Sequence, residues 1–202
     1  MSHAVRMITV GVALVFSCVA CAGGDGASSV PSSASPAQPT RLQDAPEISV
    51  NGHPFAALDA ARPSADRRAI GDLRMGAERI MAYTEGPRCG LQVIRSNDEK
   101  HPVLSLDTAM PKNDDQGNTR FAAGPYLKSS ATGSGTSKPW ASLSCGRSAM
   151  VIENSSQDAG TPSKSRGSLS TIEGPKVNKT FYVAVGEDKD RKKILSSLLS
   201  HP

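Results

Sequence analysis

Few residues in this chain are of types that do chemistry, and their spacing sorts them quickly. The histidines are His3, His53, His101 and His201. His53 and His101 each precede a proline, which places them in turns. None of the four stands at the spacing of a zinc site. A serine hydrolase needs a Gly-x-Ser-x-Gly elbow, and Gly133-Ser134-Gly135 is only a flexible stretch. No phosphate loop and no dinucleotide fingerprint occur. Asn113-Asp114-Asp115-Gln116-Gly117-Asn118 offers oxygen ligands and a glycine. It lacks the alternation and the distant glutamate of a calcium loop, so it reads as a polar turn. The sequence therefore assigns no catalytic, cofactor-binding or metal-binding residue. The cysteines, Cys18, Cys21, Cys89 and Cys145, are what remains.

The first two stand at the end of a recognisable pattern. Arg6 is followed by an apolar run, Met7 to Phe16, then Ser17-Cys18-Val19-Ala20-Cys21-Ala22-Gly23-Gly24. A charge, about ten apolar residues and then small residues make a secretory signal. The run is too short for a membrane-spanning helix, which takes about 20 residues. This stretch resembles the lipobox-type signal peptide of bacterial lipoproteins. That resemblance implies a cysteine thiol that takes a diacylglycerol, with cleavage just before it. Cys21 follows Val19-Ala20 and leaves an even pair of cysteines downstream; Cys18, the alternative, follows Val15-Phe16-Ser17 and leaves Cys21 as an odd thiol. The expected organisation is a signal peptide at 1–20, a tether at 21–45 and one globular domain at 46–202. The expected location is the outer face of the bacterial cytoplasmic membrane.

The tether reads AGGDGASSVPSSASPAQPT from Ala22 to Thr40. Gly, Ser, Ala and Pro cannot bury enough surface to offset their ordering entropy, so disorder is expected there. In an exported protein, Cys89 and Cys145 are expected to pair as a disulfide. The formal charge is +4. The charges are mixed, without the basic stripe and interleaved aromatics of a nucleic-acid binder. A basic balance does allow weak attraction to an anionic membrane or wall polymer.

The remaining chain must supply the elements. Alternation marks strands at Cys89–Arg95, Val103–Asp107, Trp140–Cys145, Ala149–Glu153 and Lys179–Val185. Shorter strands are expected at Ile48–Val50 and Arg120–Ala123. Arg79–Thr84 reads as the hairpin partner of Cys89–Arg95, with Gly86-Pro87 at the turn and Gln92 pointing outward. The alanines of 56–61 favour a helix that Pro63 ends. Stretches 62–68, 129–139 and 154–168 read as exposed loops. Asp188 or Asp190 caps a final helix whose buried stripe is Ile194, Leu195, Leu198 and Leu199. The expected fold is mainly β: a small β-sandwich or open barrel of six to eight short strands with a C-terminal helix and one disulfide.

Of the aromatics Tyr83, Tyr126, Trp140 and Tyr182, Trp140 is the best candidate for an exposed contact to a sugar or peptide. Its other reading is a core anchor beside the disulfide. The expected function is a non-enzymatic binding or accessory module of the bacterial envelope. It would be held to the membrane by its lipid and would meet an envelope protein or wall polymer. An envelope hydrolase with a loop-formed site and a surface antigen are the alternatives.

Overall fold

The computed structural model describes residues 40–95, 98, 101–133, 139–156, 159–174 and 180–200. The signal stretch, Cys18, Cys21 and the tether up to residue 39 lie outside the described residues, as do His3 and His201.

Among the described residues ten strands form two five-stranded sheets. The first sheet runs β4 (Leu104–Ala109), β3 (Arg88–Arg95), β2 (Glu78–Glu85), β1 (Arg67–Gly76), β8 (Ala159–Gly167). The second runs β5 (Leu127–Thr132), β6 (Trp140–Cys145), β7 (Ala149–Ser155), β10 (Thr180–Gly186), β9 (Leu169–Glu173). Every pairing is antiparallel. The chain crosses between sheets from β4 to β5, from β7 to β8 and from β8 to β9, and the sheet edges meet where β4 contacts β5 and β8 contacts β9. The product is a sandwich whose edges nearly close into a flattened barrel.

The core lies between the sheets. Leu73, Met75, Ile80, Leu91 and Val93 of the first meet Leu143, Met150, Ile152, Val183 and Val185 of the second. Cys89 of β3 and Cys145 of β6 form the expected disulfide across this gap, Cα to Cα 6.1 Å. It staples one sheet to the other at two fully buried positions.

Each sheet is also covered on its outer face. An N-terminal strap crosses the first sheet, with Ile48, Val50 and Phe55 against Ala69, Met81 and Ile94. The strap ends in α1 (Ala56–Ala61), as its alanines favour. Over the second sheet lies α2 (Asp188–Ser200), which seats Ile194 against Val151 and Ala184.

This covering explains the departures from expectation. The packed chain starts before 46: Leu42–Asp44 form a 3-10 turn, and Leu42 sits in the core. Ile48–Val50 is strap rather than strand, its Ile48 N–H donating to the Ala69 carbonyl at 2.9 Å without a strand ladder. Gln92 does face outward, but under cover, and is fully buried. Arg120–Ala123 forms no strand. Strand β8 and parts of β1 and β5 occupy stretches expected as exposed loop, and β9 falls where no element was expected, so ten strands replace six to eight. Leu199 stays 68% exposed because it lies beyond the face that Ile194, Leu195 and Leu198 share.

Geometry requires glycine at positions 76 and 90. Gly76 adopts φ 59° between β1 and β2, where a side chain would be strained. Gly90 lies beneath the ring of Tyr83, in space a Cβ would invade.

Candidate binding face

Register places a set of polar and aromatic side chains on the outer face of the second sheet. Ala141, Leu143 and Cys145 of β6 belong to the core. Strand alternation therefore turns Trp140, Ser142 and Ser144 outward. Ser142 stands opposite Ser130 of β5 on one side and Glu153 of β7 on the other. Glu153 stands opposite Tyr182 of β10. One row across the sheet is thus Ser130, Ser142, Glu153, Tyr182. The next holds Thr132, Trp140, Ser155 and Thr180.

The face is divided. α2 and the turn at Phe121 cover the part carrying Ala149, Val151 and Ala184. Tyr126 closes that cover, packed edge-on to Phe121 with centroids 6.0 Å apart and donating its hydroxyl to the Ala122 carbonyl at 2.7 Å. Burial pushes its phenol pKa well up. Beyond it Trp140 is half-buried, and Tyr182, also half-buried, packs at the edge of the covered cluster. Trp140 is not a core anchor beside the disulfide, for it faces away from the Cys145 side.

Glu153 is the buried charge of this face, its side chain 5% exposed. Arg120 meets it at 2.8 Å and Lys128 at 3.8 Å, both from partly exposed positions. Arg120 also lies over the Phe121 ring, 5.1 Å from its centroid. Beside Glu153, the Ser142 hydroxyl is buried with no hydrogen-bond partner among the described residues. Leaving such a group unpaired is costly. A fixed carboxylate, two cations, several hydroxyls and two half-covered rings are equipped to hold a polar ligand. Stacking supplies contact area and the hydroxyls supply direction.

The first sheet's outer face holds a different constellation, which binds the chain to itself. Arg67, its side chain 1% exposed, reaches Glu85 at 3.0 Å, Asp59 of the strap, and the Arg62 carbonyl at 3.0 Å. Arg62 of the strap meets Glu85 at 3.0 Å and Asp107 at 3.3 Å. Arg88 meets Asp107 at 2.5 Å. Burial pushes the Glu85 and Asp107 carboxyls up. Hydrogen bonds and charge from Arg67 and Arg62 on Glu85, and from Arg88 and Arg62 on Asp107, outweigh it and hold both below their usual range. The Tyr83 ring lies beneath Arg67 at 5.7 Å and edge-on to Phe55 at 5.3 Å. Burial, then the charge of Asp107, pushes its phenol up to about 12. The arrangement is a clasp that fixes the strap.

The other residues singled out in the sequence do not converge. His101 pairs with Asp98 at 2.9 Å on the surface, and His53 is exposed in the strap. Asp114 of the Asn113–Asn118 turn is paired to Arg147, and Asn118 exchanges backbone bonds with Tyr126. Among the described residues no three His, Cys, Asp or Glu come together as metal ligands. Neither the clasp nor Glu153 was foreseen. The signal that was present is charged residues at alternating positions in β runs, which marks a covered polar face. Comparison with known protein families, curated proteins and solved structures found no match.

Proposed function

We propose that the protein is a lipid-anchored, extracytoplasmic binding module of a bacterial envelope, with the Trp140–Tyr182 face of its second sheet as the contact surface. The observation that carries the binding reading is the pairing of two half-buried rings with a buried, cation-flanked carboxylate on one face. The location rests on the signal stretch and its resemblance to lipoprotein signals. The Gly/Ser/Pro-rich segment after it supplies the stand-off that such a domain needs. The partner class is an envelope protein or wall polymer.

Two measurements test this. In cells fed labelled palmitate, the wild-type chain should carry label and fractionate with membrane; replacing Cys18 and Cys21 together by Ser should abolish both. Cys21→Ser alone should do the same, and retention of label by that single variant would move the anchor to Cys18. Crosslinking in intact envelopes should give an adduct that Trp140→Ala reduces at least tenfold, with an unchanged far-UV spectrum. An adduct of equal yield from the variant would refute the face, and unchanged acylation of the double Cys variant would refute the anchor.

A further inference from the structure

The outer face of the first sheet carries a cationic corner that the clasp leaves unused. Beyond the strap, Arg74 of β1 stands directly opposite Arg79 of β2 and directly opposite Lys164 of β8. Three cations therefore occupy one row. Arg166 stands in the next row, opposite Asp72. Asp72 is engaged by Arg79, with bonds of 2.8 and 3.0 Å. Arg166 donates to the Ser49 carbonyl of the strap at 3.1 Å. Arg74 and Lys164 are exposed, and among the described residues no carboxylate pairs with either. Like charges directly opposite on a sheet oppose pairing. The remaining carboxylates of this sheet face, Glu85 and Asp107, belong to the clasp.

We infer that this corner docks on an anionic phospholipid surface. The inference rests on the proposed lipid anchor, which would keep that surface within constant reach. The span from Cys21 to Thr40 reaches about 65 Å fully extended, with a root-mean-square length of about 25 Å. The longest strands of the sheet, β1 and β8, are about 30 Å long. The domain can therefore lie with the first sheet toward the bilayer. A tether makes the encounter intramolecular, so a few weak contacts suffice. Each basic residue brought to an anionic surface multiplies the docked population by about fivefold. Docking in this orientation turns the Trp140–Tyr182 face outward.

The test uses the acylated full chain in vesicles of phosphatidylcholine alone or with about 30% phosphatidylglycerol, a fraction that gives the strong surface potential docking needs. Acetylation of Lys164 by an amine-reactive ester is read by mass spectrometry, with Lys189 and Lys192 of α2 as references. Lys164 should react at least about threefold more slowly on the phosphatidylglycerol vesicles. The protection should disappear at high salt and in Arg74→Glu, while the references stay constant. Lys164 rates equal on the two vesicles and equal to that of the detergent-solubilised chain overturn the docking and leave the anchor standing. Equal slowing on both vesicles relative to the detergent-solubilised chain overturns its electrostatic basis, and so does protection that survives Arg74→Glu. Protection obtained only with an added anionic wall polymer overturns the choice of lipid. A chain that floats with neither vesicle overturns the anchor, and the docking with it.

Discussion

Arg67→Met should loosen the strap, and the size of the effect follows from what surrounds the guanidinium. The side chain is 1% exposed and is shared by Glu85, Asp59, the Arg62 carbonyl and the Tyr83 ring. Removing one partner of a fully buried pair costs about 3–5 kcal/mol, because the other charge is stranded. Here the loss is smaller. Asp59 is 53% exposed and returns to water, and Glu85 keeps Arg62. Methionine also preserves the apolar stem that lies on Tyr83. A loss of about 2 kcal/mol is therefore expected from these terms, or about 4–8 °C in melting temperature for a domain of this size.

Acid should narrow the difference. Glu85 binds its proton less tightly when folded than its ordinary value of 4.5 describes. Its contribution is complete above that value and drains away as pH falls through the lower folded value. Urea denaturation of both proteins at pH 7 and pH 3, followed by circular dichroism, reads both effects. A loss under about 0.5 kcal/mol at pH 7 would refute the clasp, since surface substitutions fall in that range. A difference undiminished at pH 3 would refute its ionic basis.

The disulfide and the Gly90 contact give two further tests. Replacing Cys89 and Cys145 together by Ala opens a loop of 56 residues. This should cost about 4 kcal/mol and lower the melting temperature by roughly 10 °C, and an unchanged melt would show that the sheets need no staple. Gly90→Ala drives a methyl into the Tyr83 ring, which Phe55 and Arg67 keep from retreating. A loss of about 1–3 kcal/mol in urea denaturation is expected, and a neutral result would mean that the ring moves freely.

Strands that bury one face were legible from the sequence. Phe181, Val183 and Val185 alternate against the core, and β6 does the same through Ala141, Leu143 and Cys145. Strand β1 was not legible because both its faces are covered. Ile70, Leu73 and Met75 enter the core while Ala69 and Asp72 lie on the strap side, so no simple period survives. A bulge between Ala69 and Gly71 shifts the register as well. Strand β8 is an edge strand rich in Ser, Lys and Arg, held mainly by backbone pairing to β1, and composition carries no trace of that. The sequence left two readings for Trp140, an exposed ring and a core anchor, and only its register in β6 decides between them. That Trp140 and Tyr182 share one face was not legible, because β7 lies between their strands and only sheet order sets them together.

Core side chains from both sheets fill the interior, and Glu78 is held by the Ser156 hydroxyl at 2.5 Å and the Asn154 amide at 3.5 Å. The outer faces are built differently. The strap and clasp cover part of the first sheet's face and leave Arg74 and Lys164 uncovered at its corner. The second sheet's face is closed over Val151 by α2 and left half open at Trp140. Leu42 is fixed at the start of the packed chain, its N–H donating to the Arg147 carbonyl in the turn between β6 and β7. Sites on opposite sides of a sandwich about 10 Å between sheets share no partners, and their perturbations should be independent. Arg74→Glu should therefore shift Lys164 protection without touching the envelope adduct, and Trp140→Ala should do the reverse. A variant that moved both readouts would mean that membrane and partner compete for one surface, and the two-faced arrangement would fall.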